Sequence, residues 1–179
     1  MANISKKYAK ALFDTALDVD QLDVVYDEFS IIDQVVQEET AKLTELDQDP
    51  QRDTQQRLQI VTVAFGQANT YLRNMLKVLA ENRHLSYTHA IFKEYEILLN
   101  EHHNQDYAIV ESVYELSEDD LSRIATLIQQ RTQLSKVMIT NEINPDLIGG
   151  IRVKVGTKVM DASLQNDLAQ LEKKFTRVK

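Results

Sequence analysis

The 179 residues predict a mostly α protein: an N-terminal six-helix bundle, then a small α/β domain with a short mixed or antiparallel sheet and two helices. Three observations lead there. Apolar residues recur at helical spacing through the first hundred residues and at a period of two after about His103. The chain has only four glycines and two prolines. Gly149, Gly150, Gly156 and Pro145 all fall in one run, NPDLIGGIRVKVGTKVMDASLQNDLAQL, so turn chemistry is concentrated near the C-terminal end. The change of period puts a domain boundary near residue 105, giving domains 1–105 and 106–179.

The helices follow in order. Ile4, Tyr8, Ala11, Leu12, Ala16 and Val19 mark the first. Leu22, Val25, Phe29, Ile32 and Val36 mark a second over about 21–39, and a short third fits 41–46 before Pro50 breaks the chain. Leu58, Val61 and Phe65 mark a fourth over 54–65, with Gly66 as its expected C′ residue. Segments 69–82 and 86–103 complete the six, and their short links suit a bundle. Beyond them, DYAIVESVYEL reads as a strand. Ser117 is an N-cap before Glu118, Asp119 and Asp120, whose carboxylates suit a helix start. SKVMITNEI, IRVKV and TKVMD read as three more strands. Gly149-Gly150 admits the chain to the third through a tight or φ > 0 conformation, and Gly156 turns a hairpin into the fourth. Ser163 begins a last helix carrying Leu164, Leu168 and Leu171.

Composition removes several function classes. An apolar fraction of 43% with 27% charged residues is ordinary for a globular protein. The absence of cysteine excludes a disulfide scaffold and any thiolate metal site. No stretch approaches 18 apolar residues and MANISKKYAKALFDTAL has no signal-type apolar core, so neither membrane insertion nor a leader is expected. The net charge is −8. Residues 1–105 hold 10 Lys/Arg against 17 Asp/Glu, and the rest 10 against 11. That sign opposes binding to phosphate backbones, so nucleic acid is not an expected partner.

Catalytic chemistry finds no foothold. A phosphate loop needs G-x-x-x-x-G-K-[ST] between a strand and a helix. Gly150 and Gly156 are one residue too far apart, Thr157-Lys158 is in the wrong order, and a strand follows. His84, His89, His102 and His103 show no metal-binding spacing, and the acidic run 118–120 is explained as a first helical turn. No catalytic residue, cofactor or metal is expected. Two helices instead carry more apolar surface than one core needs. Ile4, Tyr8, Ala9, Ala11, Leu12, Phe13, Ala16, Leu17 and Val19 spread over about 240° of the first helix. Tyr71, Leu72, Met75, Leu76, Val78, Leu79 and Ala80 spread over about 200° of the fifth segment. Central positions in the bundle would explain this, and so would a groove for another protein's amphipathic helix.

Three stretches carry a family resemblance. The run from Asn144 to Leu171 resembles the C-terminal signature of the delta subunit of bacterial F-type ATP synthases, the counterpart of the mitochondrial oligomycin-sensitivity-conferring protein. YAKALFDTA at 8–16 and LKVLAENRHLSY at 76–87 resemble its first and fifth helices, so the likeness spans the chain. Asn144 stands where the family usually has Asp, and Ala162 where Gly is usual between Asp161 and Ser163. The resemblance implies a non-catalytic stator component that links the catalytic head to the peripheral stalk and resists rotor torque, so that ion flow is coupled to ATP synthesis. It implies one copy per complex, at the cytoplasmic face of the cell membrane. Domain 1–105 would bind the N-terminal helix of an alpha subunit, and domain 106–179 the b subunits. Carried onto this sequence, the groove would use Tyr8, Ala9, Leu12, Phe13 and Ala16 with Leu72, Met75, Leu76 and Leu79. Pro145, Gly149, Gly150, Gly156, Asp161 and Ser163 would be structural, and Asn82-Arg83 a helix end. The alternative is a helix-binding adaptor unrelated to ATP synthase, which the apolar arcs support equally and the C-terminal signature does not.

Overall fold

The computed structural model describes residues 2–156 and 158–163. They form two compact units that divide between Leu99 and Asn100.

The first unit is helical. Helix α1 (Ala2–Asp18) buries Ala9, Leu12, Phe13 and Ala16, the i, i+3, i+4, i+7 face of its sequence. It stops where Asp20 enters the left-handed region at φ 54, so that Gln21 N–H can reach back to the Ala16 carbonyl at 2.9 Å. Helix α2 (Leu22–Gln48) is one element of 27 residues. The expected short third helix over 41–46 is therefore its C-terminal end. The polar cluster at 38–40 contains neither Gly nor Pro, and the Thr40 hydroxyl donates to the Val36 carbonyl within the helix. Only the approach to Pro50 ends it.

Helix α3 (Thr54–Phe65) starts on a capping box in which the Asp53 carboxylate accepts Gln56 N–H and the Gln56 side chain accepts Asp53 N–H. Gly66 does not adopt the left-handed C′ conformation expected of it; its φ is −62. Glycine is needed there for space, since a Cβ would lie 2.5 Å from the Thr62 carbonyl oxygen. Helix α4 (Thr70–Glu81) starts at Asn69, whose side chain accepts Tyr71 N–H, and ends at Asn82. Arg83 takes the left-handed position at φ 59, and His84 N–H bonds the Leu79 carbonyl at 2.8 Å. A short 3-10 helix (Leu85–Tyr87) follows, its first two N–H groups accepted by the buried carboxylate of Asp47 from the end of α2. Helix α5 (Thr88–His102) closes the unit and runs on past Asn100.

The core of this unit is aromatic. Tyr95 is fully buried, packs edge-on to Phe13, and donates its hydroxyl to the Leu22 carbonyl at 3.0 Å. Burial, with the Asp23 carboxylate second, holds its phenol above the ordinary tyrosine range. Phe29 lies edge-on to Phe92, and Phe92 stacks on Tyr26.

The second unit is a four-stranded mixed sheet in the order β2-β1-β3-β4 with one described helix. Strand β1 (Gln105–Ser112) leads through helix α6 (Glu118–Thr132) to β2 (Lys136–Ile143), which lies parallel to it. Strands β3 (Gly150–Val155) and β4 (Lys158–Ser163) extend the sheet antiparallel. Alternation puts Ala108, Val110, Val137, Val153 and Val155 on one face, where they meet Ile128 of α6. Ser117 caps α6 by accepting Asp120 N–H at 3.2 Å. Asn104, at φ 50, binds the far end of α6: its carbonyl accepts Ser135 N–H and its side chain donates to the Gln133 carbonyl.

The glycine-bearing run is turn structure here. Pro145 is the second residue of a turn closed by Leu147 N–H on the Asn144 carbonyl. Gly150 enters β3 at φ 79, and Gly156 leaves it at φ 52 into the β3–β4 hairpin. Gly149 is not among the positive-φ residues. Ala162 lies in β4 opposite Ile151, with no positive φ, which is why a residue other than glycine is tolerated. Ser163 is the last residue of β4. The expected closing helix with Leu164, Leu168 and Leu171 lies outside the described residues, as does Thr157.

Candidate functional site

Among the described residues no group of His, Asp or Glu could hold a metal ion. The candidate site is a groove between α1 and α4. The two helices run antiparallel. The Tyr8 hydroxyl near the start of α1 is 3.4 Å from His84 Nδ1 beyond the end of α4, and Gln21 beyond α1 accepts the Asn69 side chain at the start of α4. Between them a cavity of about 340 Å³ is lined by Tyr8, Ala11, Leu12 and Thr15 on one side and by Tyr71, Asn74, Met75 and Val78 on the other. Each set follows the i, i+3, i+4, i+7 rule for one helical stripe. Val78 is 42% exposed on the lip. At one end the Tyr8 ring meets His84 edge-on, and His84 meets Tyr87 the same way. The Thr15 hydroxyl is turned to the Ala11 carbonyl of its own helix. The floor thus offers apolar and aromatic contact with a single amide, Asn74. It suits the apolar face of a helix. A larger cleft of about 770 Å³ beside α3 mixes Asp49, Gln51, Arg52, Gln56 and Gln59 with Ile60, Val63 and Ala64, so it offers a more polar lining than the groove.

Of the nine groove residues expected from the sequence, Tyr8, Leu12 and Met75 line this cavity. Ala9, Phe13, Ala16, Leu72, Leu76 and Leu79 are buried in the core of the same unit. The apolar arcs divide into a core side and a groove side at Leu12 and Met75. Ala11, Tyr71 and Val78 lay in the apolar arcs without being assigned to the groove. Thr15 and Asn74 are polar, so a search for apolar arcs passes over them.

On the second unit, Glu111 is buried on the sheet face away from α6, covered by polar neighbours. It receives hydrogen bonds from Lys154 and, at 2.9 Å, from the Asn144 side chain, with Arg152 at 3.3 Å. Arg152 also binds Asp161, its cross-strand partner, at 3.2 Å. The Lys154 hydrogen bond first, and that of Asn144 second, hold the Glu111 carboxyl below its ordinary pKa. Asn144 can donate to Glu111 where an ionised Asp could not.

The family model for the ATP synthase delta (OSCP) subunit matches residues 4–175, nearly the whole chain. The chain belongs to that family. The delta subunit of Staphylococcus saprophyticus is 65% identical over 179 residues, all of both chains. That of Staphylococcus carnosus is 55% identical over the full length of both, and that of Staphylococcus aureus 46% identical over 99% of each. Among solved structures, a chain of the mitochondrial ATP synthase hexamer of Toxoplasma gondii shares the fold with a TM-score of 0.70 at 16% identity, over 96% of this chain and 97% of that one. As a delta/OSCP member the protein is a non-catalytic, peripheral-stalk-linked subunit of the F-type ATP synthase, which removes the unrelated-adaptor alternative. Among the described residues no helix is long and apolar enough to cross a membrane.

Proposed function

We propose that this subunit joins the catalytic head to the peripheral stalk and holds the head against rotor torque, so that ion flow is coupled to ATP synthesis. Residues 1–105 bind the head by taking the N-terminal helix of an alpha subunit into the α1–α4 groove. Residues 106–179 bind the b subunits. One copy serves each complex, at the cytoplasmic face of the membrane, held there by the other subunits. The observation that carries the reading is the groove itself: a two-sided apolar channel, with Val78 and Tyr71 on its lips, in a chain of this family. A stator contact needs affinity and stiffness, and rigid helical walls provide stiffness because they lose little conformational freedom on binding.

Calorimetry of the full chain with a peptide copied from the alpha-subunit N-terminus tests this. Binding is expected, with at least tenfold loss in Val78→Glu, because a carboxylate on the lip must be desolvated without a partner. The fragment 106–179 is expected not to bind. Wild-type affinity in Val78→Glu would show that the groove is not the site.

A further inference from the structure

We infer that the α1–α4 groove has a direction: it takes a helix with its acidic end over Lys7 and Arg83 and its basic end over Asp18 and Glu28. The inference rests on the groove being the helix-binding site. The floor cannot set direction, because apolar burial is non-directional. From Tyr8 to Thr15 it is about 10 Å long, or two helical turns, so the ends of any docked helix project beyond it.

The two ends differ in charge. At 100° per residue, Lys7 and Asp18 lie on the outer edge of α1 beside Ala11, away from the core positions Ala9 and Ala16. Both are exposed. The antiparallel arrangement puts Lys7 at the His84 end with Arg83, opposed by Glu81 and by the buried Asp47 carboxylate that accepts Leu85 and Ser86 N–H, so this end is close to neutral while the other is acidic. Asp18, Asp20 and Glu28 gather at the other end. Arg73 offsets part of this charge, but it pairs with none of the three carboxylates: its guanidinium donates to the Gly66 carbonyl at 2.9 Å, so the end stays net acidic. Midway, Asp14 and Lys77 flank the groove with opposite signs and favour neither direction. The macrodipoles of α1 and α4 are opposed, so they largely offset and leave the side chains to decide.

A second feature stands at the acidic end. Tyr71, which lines the groove, also lines a separate notch of about 470 Å³ with Gln21, Glu28, Gln67, Ala68, Asn69 and Thr70. Glu28 accepts Asn69 N–H there, which fixes the carboxylate in the notch. Such a lining suits an ammonium or guanidinium on a long stem, with the stem lying along Tyr71. The partner helix therefore carries Lys or Arg about one turn beyond its apolar stripe. Helices favour acidic residues in the first turn and basic ones in the last, so the docked helix runs parallel to α1.

Direction can be read with the intact chain and a peptide spanning the first ~20 residues of the alpha subunit, long enough to overrun both ends of the groove. It carries a nitroxide label at one terminus or the other. The N-terminal label is expected to broaden the amide signals of Lys7, Tyr8 and Arg83, and the C-terminal label those of Asp18, Glu28 and Thr70. The reverse pattern, or equal broadening at both ends, would overturn the polarity and leave the groove reading intact. Broadening away from α1 and α4, or no binding, would remove both. Asp18→Lys is expected to weaken the peptide about three-fold at low salt, with the effect fading at high salt. Unchanged affinity would overturn the electrostatic basis.

Discussion

In the first unit, Tyr95 is enclosed by Phe13, Phe29 and the start of α2, and its one polar atom is satisfied by a backbone carbonyl. In the second unit the most enclosed charged group among the described residues, Glu111, sits on a sheet face under Lys154, Arg152 and Asn144. The first arrangement resists change through packing, the second through matched charges and turn geometry. Packing losses are large and nearly independent of pH; turn and charge losses are smaller, and the charge losses move with solution conditions.

The largest effect is expected from Phe29→Ala, which opens a cavity in the aromatic core and should cost about 3–5 kcal/mol in denaturant unfolding. In a matched pair of truncations, Leu76→Ala in the first core should cost about 3–4 kcal/mol and Ile128→Ala in the smaller core of the second unit about 2 kcal/mol. Equal losses would end the claim that the units rest on different terms. Next comes Gly156→Ala, expected to cost about 1–2 kcal/mol because φ 52 forces a Cβ into the left-handed region. The added Cβ also lies 2.9 Å from the Asp106 carboxylate, which can turn aside. The loss should appear in the amide signals of β3 and β4 and spare the first unit. Asp53→Ala removes the capping box of α3 and should cost about 1 kcal/mol, read as earlier melting of α3 in hydrogen exchange. A variant as stable as the parent would show that this cap is redundant.

Much of this contrast was legible in the sequence. The period of two, the β-branched residues and the clustered glycines located the strands and the β3–β4 hairpin, because those signals are local. The merging of two expected helices into α2 was not legible, since Glu38, Glu39 and Thr40 look like a break until their hydrogen bonds are seen to continue the helix. Gly66 does stand at the end of α3, as expected, but as a C-cap that needs the missing Cβ beside Thr62 and not a left-handed φ, a contact that no pattern of residue types reveals. The groove was half legible. Helical projection showed that α1 and α4 carry too much apolar surface, but only packing decides that Ala9, Leu72 and Leu76 face inward while Ala11, Tyr71 and Val78 face out.

The smallest effect is also the most direct probe of the second unit. Glu111 has its folded-state pKa below the ordinary value, chiefly through Lys154. A carboxyl with a lowered folded pKa contributes stability above its unfolded pKa, about 4.3, and loses it as pH falls through the folded value. Glu111→Gln keeps the shape and one acceptor but cannot attract Lys154 or Arg152. At neutral pH the variant should therefore melt slightly below the parent in the second unit. As pH falls below about 5 the gap should narrow, because the parent is losing the same charge. Melting of the first unit should be the same in variant and parent at every pH, since Glu111 lies in the second unit. A constant gap from pH 7 to pH 3 would mean that Glu111 acts through shape and not through charge, and the contrast between the two units would then reduce to one of core size.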